Sequence, residues 1–305
     1  MGAGAVTAVL GVELAGRGGQ FSAALQALPA SVLALAAALQ IGALVARTEA
    51  WHVCVRATGA DVGRRVLFRA AGVGYLASIV NGSLGLAARI ACLRRSAPQT
   101  SPRVPALLAA EVPIITVEVT LAAVFSFTLI GPLGVAWYVP LIAVITMSGA
   151  MFALRRLSEH RRIGLWSGLA VMRSGRGQMI LLVLLAVCAQ VARNWLVLRG
   201  IGVHVSIFDA MALLIAMFTL GQLPVGPSLG AAAAVLILGA HGVATTAAAG
   251  LLLTATATAG SLTYAAWALS DRFLEQRLDA RRAAGGELAS LAPLPEPTPS
   301  PVGSP

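Results

Sequence analysis

Lysine is missing from this chain: all 22 basic residues are arginine. Acidic residues number only 12, and charged residues of both signs make up 11% of the sequence, against about a quarter in ordinary soluble domains. Hydrophobic residues reach 58% and the mean hydropathy is +0.84. There is too little polar side chain here to cover a water-soluble fold, so composition alone makes this an integral membrane protein. Cysteine is also scarce. Cys54, Cys92 and Cys188 form no CxxC pair and the four histidines are scattered, which argues against a disulfide framework, a metal site or a redox centre. No nucleophile and base at motif spacing and no Walker-type loop is present, so no catalytic residue, no cofactor and no enzyme activity are expected.

What the chain has instead is apolar runs and arginine clusters. The net charge of +10 would suggest a nucleic-acid partner if it formed a soluble patch. The arginines fall between apolar runs, so they record membrane topology and no nucleic acid is expected. Runs long enough to cross about 30 Å of hydrocarbon occur at 23–46, 106–130, 133–154, 179–198 and 243–269. Residues 1–22 hold a short apolar segment at 3–14, read as a remnant or partial helix. After residue 270 comes a charged, helical stretch at 271–282 and then a Pro-rich tail expected to be disordered and cytoplasmic.

Two further runs, 66–93 and 207–240, are interrupted, the first at Asn81-Gly82-Ser83 and the second across Gly221-Gln222-Leu223-Pro224-Val225-Gly226-Pro227. Such breaks free backbone groups that tolerate membrane depth only inside protein or against water. The sequences around them match: Ser83-Leu84-Gly85-Leu86-Ala87-Ala88 resembles Ser228-Leu229-Gly230-Ala231-Ala232-Ala233, and Trp51 through Gly59 resembles Trp195 through Gly202. Arginines flank the first broken run on both sides, whereas residues 200–271 hold none. By the positive-inside rule the first run enters and leaves on the cytoplasmic face and the second on the outer face. The expected fold is therefore all-α, a polytopic bundle of inverted repeats, about 23–154 and 179–270, with two re-entrant broken-helix hairpins. Their tips would meet near mid-membrane, which is how transport cores place half-helix ends on a ligand.

Polar groups in hydrocarbon are expensive, so each is a candidate. Glu118 lies deep in its span with Glu111 seven residues earlier on the same helical face. Glu118 reads as a counter-ion or proton relay, or as a protonated acid bonded to a neighbouring helix; Glu111 reads as an interfacial residue. Arg193-Asn194 sits in the outer half of its span and can pair with Glu118, hold a lipid phosphate, or snorkel. Arg89 follows the first break and is a candidate phosphate contact or a topological anchor. The break residues Asn81, Gly82, Ser83, Gly85, Gln222, Pro224, Gly226, Ser228 and Gly230 would offer helix N-termini to an anion, or simply permit tight turns. Trp51 and Trp195 read as interfacial anchors, and Thr246, Gly250, Thr254 and Thr258 as a helix-packing stripe.

These residues, Trp51, Asn81-Gly82 with Gly85 and Arg89, and Leu223-Pro224-Val225-Gly226 with Leu229-Gly230 and His241-Gly242-Val243, resemble the lysylphosphatidylglycerol synthase transmembrane or flippase-like family. The likeness spans about 23–271. It implies an inverted-repeat bundle that moves an aminoacylated phospholipid or a polyprenyl-phosphate-linked headgroup across the cytoplasmic cell membrane, with membrane lipid as the partner. A different reading of the same likeness is a non-transporting partner of a glycosyltransferase or lipid synthase. The family's acidic residues after each break glycine are replaced here by Leu86 and Ala231, and nothing after Asp271 resembles its soluble aminoacyl-transferring domain. Synthesis of the lipid is therefore not expected of this chain.

Overall fold

The structure, a computed structural model, describes residues 26, 28–80, 82–160, 169, 171–172, 175–220, 229–238 and 243–290. Among these there is no strand. The helices are α1 (Ala30–Ala57), α2 (Arg64–Val80), α3 (Gly82–Ser96), α4 (Val104–Phe125), the short α5 (Ile130–Leu133), α6 (Tyr138–His160), α7 (Arg176–Gly200), α8 (Ile207–Leu220), α9 (Leu229–Leu238) and α10 (Val243–Ser290). A 3-10 turn, Ser126–Leu129, joins α4 to α5. Among the described residues, Ala30–Ala57, Val104–Leu133, Tyr138–Leu157 and Arg176–Gly200 are long and apolar enough to cross a membrane. In hydrocarbon a helix satisfies its own backbone, and Ala- and Leu-rich segments favour it intrinsically. The fifth expected span, 243–269, lies within α10, and that helix continues through the charged stretch to Ser290. Residues 1–22 and the Pro-rich 291–305 lie outside the described residues.

One boundary departs from expectation. The first span was expected at 23–46, but α1 begins after Pro29 and runs on to Ala57. A hydropathy reading stops at Arg47-Thr48-Glu49; the helix does not, because those polar groups find partners on other elements. A glycine follows the end of each of α1 and α7. Gly59 after α1 has φ 86° and Gly202 after α7 has φ 82°, left-handed positions that only glycine occupies without strain.

Packing follows an antiparallel scheme around α1 and α7, the most extensively paired helices. Ala43 and Ala46 meet Ala186 at their middles, and small residues there let the backbones approach closely. Two large cores lie at opposite ends of this pair. The first joins the C-terminal half of α1 (Trp51, Cys54, Val55) to α2, α3, the start of α4 and the start of α7 (Met179, Val183). The second joins the end of α7 (Val197, Leu198) to α8, α9, α10 and the start of α1 (Ala36). Trp51 was expected at an interface and is instead fully buried; it is a core residue of the first cluster, with Arg89 over its ring. α6 packs on α4 and otherwise presents apolar side chains such as Ile142, Ile145 and Phe152 outward. In the small-residue stripe of α10, Thr246 and Gly250 are buried and Thr254 and Thr258 half-buried.

Helices α2 and α3 pack against each other as an antiparallel hairpin. Gly74 and Gly85 face each other: a Cβ on Gly74 would lie 2.8 Å from the Arg89 Cβ and 2.9 Å from the Gly85 carbonyl oxygen. Arms of 17 and 15 residues reach about 25 and 22 Å. Gly74→Val is expected to destabilise the protein by about 1–3 kcal/mol, read as a lower melting temperature in detergent. Gly42→Ala, where a Cβ meets nothing within 4 Å, is expected to leave it unchanged.

Candidate functional site

Three arginines are held inside the bundle. Arg47, on α1, donates from Nη2 to Glu118 Oε2 of α4 at 2.9 Å. Arg89, on α3, is ion-paired with Glu111, one face of α4 thus serving two cations seven residues apart. The Arg89 guanidinium also lies over the Trp51 ring, 4.3 Å from its centroid, an arrangement that attracts a cation to the π face. Gly74 makes room for the Arg89 Cβ, so the hairpin geometry aims this side chain at α4. Glu111 is therefore a buried partner and not an interfacial residue.

Arg193 does not reach Glu118. It is 4% exposed and donates to the Gln40 Oε1 of α1, with Nη2 also donating to the Asn194 side-chain oxygen at 2.9 Å. Both acceptors are neutral, and no carboxylate pairs with Arg193 among the described residues. The fully buried Asn194 has no acceptor for its Nδ2 among the same residues. Arg193 is thus a buried cation whose described acceptors are both neutral.

The Arg47–Glu118 pair is the one open to a cavity. A cleft of about 60 Å³ between α1, α4, α7 and α8 is lined by Arg47, Glu118 and Gln190 and by apolar side chains including Phe125, Met211 and Phe218. That volume holds a few water-sized groups. The Arg47 side chain is 32% exposed and Glu118 11%. Beside it, Thr48 ties three helices together: the Tyr264 hydroxyl of α10 donates to Thr48 Oγ1 at 3.2 Å, and the Tyr75 hydroxyl of α2 lies 3.1 Å from the same oxygen.

Among the expected site residues, Arg89, Glu118, Arg193 and Asn194 are buried or half-buried in the interior, and Gly85 lies at the hairpin contact. They do not converge on one point: Glu118 faces the cleft, while Arg89 and Arg193 are engaged elsewhere. Asn81, Gln222, Pro224, Gly226 and Ser228 lie outside the described residues; Gly82, Ser83 and Gly230 are helical, with no side-chain environment described. Sequence reasoning missed Arg47, Gln40, Thr48, Tyr75 and Tyr264. Arg47 was counted with the topological arginines, and its partner is 71 residues away, a distance that no local pattern encodes. The Glu111 and Glu118 spacing was the available signal, since two acids on one face of an apolar helix require two cations facing them.

Comparison with known proteins found no matching family model, no matching curated protein and no matching solved structure.

Removing one partner of a buried pair strands the other charge and costs about 3–5 kcal/mol. Glu111→Gln is expected to lower stability by that order in thermal unfolding, and Arg89→Met with Glu111→Leu to recover most of the loss. A double variant as unstable as the single one would show that the pair does more than neutralise charge.

Proposed function

We propose that this chain is a membrane protein of the flippase-like kind, binding a phospholipid or polyprenyl-phosphate headgroup in the cleft beside Arg47 and Glu118 and letting it pass between leaflets while its tails stay in lipid. The observation that carries the reading is the cleft's amphiphilic wall. A guanidinium, a carboxylate and an amide line it together with nine apolar side chains, a match for a charged head on an apolar body. The buried Arg193, whose described acceptors are both neutral, favours a headgroup with negative charge, since a cation held in low dielectric attracts an anion strongly.

The inverted-repeat and re-entrant part of the proposal draws support from the exchange between halves. The first core takes the end of α1, hairpin α2–α3 and the start of α7; the second takes the end of α7, helices α8 and α9 and the start of α1. Correspondingly, α2 packs on α10, which follows the second break, and α8 packs on α4, which follows the first. A two-fold axis in the membrane plane generates such crossed contacts. α2, α3, α8 and α9, at 17, 15, 14 and 10 residues, reach about 25 Å at most, short of the hydrocarbon thickness.

Topology is read by impermeant thiol labelling of single cysteines. Asp61→Cys and Gln99→Cys, flanking the first hairpin, are expected to react from one face, and Ser206→Cys from the opposite face. Reaction of residues 61 and 99 from different faces would end the re-entrant reading.

Function is read in proteoliposomes carrying fluorescent phospholipid, with dithionite reporting arrival at the outer leaflet. Arg47→Gln and Glu118→Gln are each expected to slow transfer roughly tenfold or more, the consequence of losing one charge-assisted contact. Arg155→Gln, on the exposed part of α6, is expected to leave it unchanged. Wild-type rates in both cleft variants would remove the cleft from the mechanism.

A further inference from the structure

Arg193 and Asn194 carry more hydrogen-bond donors than their surroundings accept. A guanidinium has five N–H groups and no acceptor. Among the described residues Arg193 engages three of them: Nε and Nη2 donate to the Asn194 Oδ1 at 3.3 and 2.9 Å, and Nη1 donates to the Gln40 Oε1. One N–H on each Nη is left over. The bonds to Oδ1 also fix the Asn194 carboxamide, because a flipped amide would turn its own donors onto the guanidinium. Its Nδ2 is then buried without an acceptor. Oxygen and nitrogen of one carboxamide are about 2.2 Å apart, so this Nδ2 lies within about 5 Å of Nη2. Arg193 is 4% exposed and Asn194 fully buried.

We propose that Arg193 and Asn194 together hold a small monovalent anion, chloride. An orphaned buried donor beside a buried cation with neutral acceptors is accounted for by a bound ion. Water could accept from Nδ2 but would leave the guanidinium charge in place, whereas an anion answers both. Glu118 is engaged by Arg47. The acids of α10 are too far along that helix: Gly260 packs on Gln40, and α10 continues from there for about 16 Å before Asp271. Size argues for a halide. The alanine contact draws α1 and α7 together next to the site, and a single atom needs the least room and accepts N–H groups from any direction. Access is short. Val187, Gln190 and Val191 line the cleft from α7, and Asn194 is the next residue along that row, one turn beyond Gln190. An anionic headgroup that reached Arg193 would have to displace the ion, so the site stands whether or not the cleft passes lipid.

The test uses the full-length protein in maltoside micelles, with the bulky anion gluconate replacing chloride at constant ionic strength. One site of millimolar affinity is expected to raise the melting temperature by about 4 °C between no chloride and about 300 mM, and bromide is expected to act alike. Radioactive chloride is expected to bind at about one ion per chain. Asn194→Asp supplies a carboxylate to Arg193 from within the chain. It is expected to melt no lower than the wild type without chloride and to lose both the thermal response and the ion binding; a role confined to packing would leave the chloride response as it was. Arg193→Gln is expected to lose ion binding too, and Arg155→Gln, on the exposed part of α6, to keep it. Stabilisation by sodium phosphate but not by chloride would assign the donors to a phosphate group instead. A chloride response absent from the wild type and gained in Glu13→Gln would assign them to that acid, which lies outside the described residues. Either result, or a chloride response that survives in Asn194→Asp, would overturn the proposal.

Discussion

Neutralising charge inside an apolar slab is the constraint on which this architecture depends. Isolated ions in low dielectric cost several kcal/mol even after relaxation, and α4 answers for two of them with Glu111 and Glu118 on one face. Each carboxylate selects a different partner helix, α3 through Arg89 and α1 through Arg47. Without a hydrophobic drive between helices in lipid, such polar contacts and close small-residue packing are what hold neighbours in place. The Gly74 and Gly85 contact and the alanines between α1 and α7 supply the second kind. The two devices cooperate at Arg89, where the glycine gap in α2 is what allows the guanidinium to reach both Glu111 and the Trp51 face.

The two ion pairs are not equivalent, and the difference separates structure from chemistry. Arg89 and Glu111 are sealed, their side chains 10% and 5% exposed, and their charges are spent on each other and on Trp51. Arg89 is thereby a poor free contact for a passing phosphate. Arg47 and Glu118 face a cleft, so a small polar group entering it can exchange partners with them without first opening the core. Arg193 stands apart from both: amide oxygens solvate it but do not cancel its charge. A fixed uncompensated cation at the α1–α7 contact raises the potential of the interior as a whole, which assists any anion entering nearby.

Legibility in the sequence followed the range of the interaction. The helical membrane class and the acidic face of α4 were readable, because hydropathy and helical periodicity are local properties. The extent of α1 was not. Charge at Arg47-Thr48-Glu49 marks a span end when read locally, yet Glu118 and Arg64 neutralise it from elsewhere, and Thr48 becomes the junction for Tyr75 and Tyr264. Trp51 was misplaced for the same reason: its ring suits an interface, but Arg89, distant in sequence, brings a cation to its π face in the core.

The sharing of α1 and α7 between the two cores adds a requirement that neither half meets alone. Each core borrows the start of the other half's leading helix, Met179 and Val183 in one case and Ala36 in the other. Separated, either half would expose the face on which its partner's helix now lies. The halves are therefore coupled through α1 and α7, and a shift of one hairpin must be accommodated along that antiparallel pair. The Ala43, Ala46 and Ala186 contact at its middle has no long side chains to interlock, so sliding or tilting there disrupts less packing than at either core. Polar tethers limit the movement on both sides of this smooth segment: Gln40 to Arg193 on one side, and Thr48 with its two tyrosines on the other. Compliance in this bundle is therefore concentrated at that seam, with the cleft of Arg47 and Glu118 beside it.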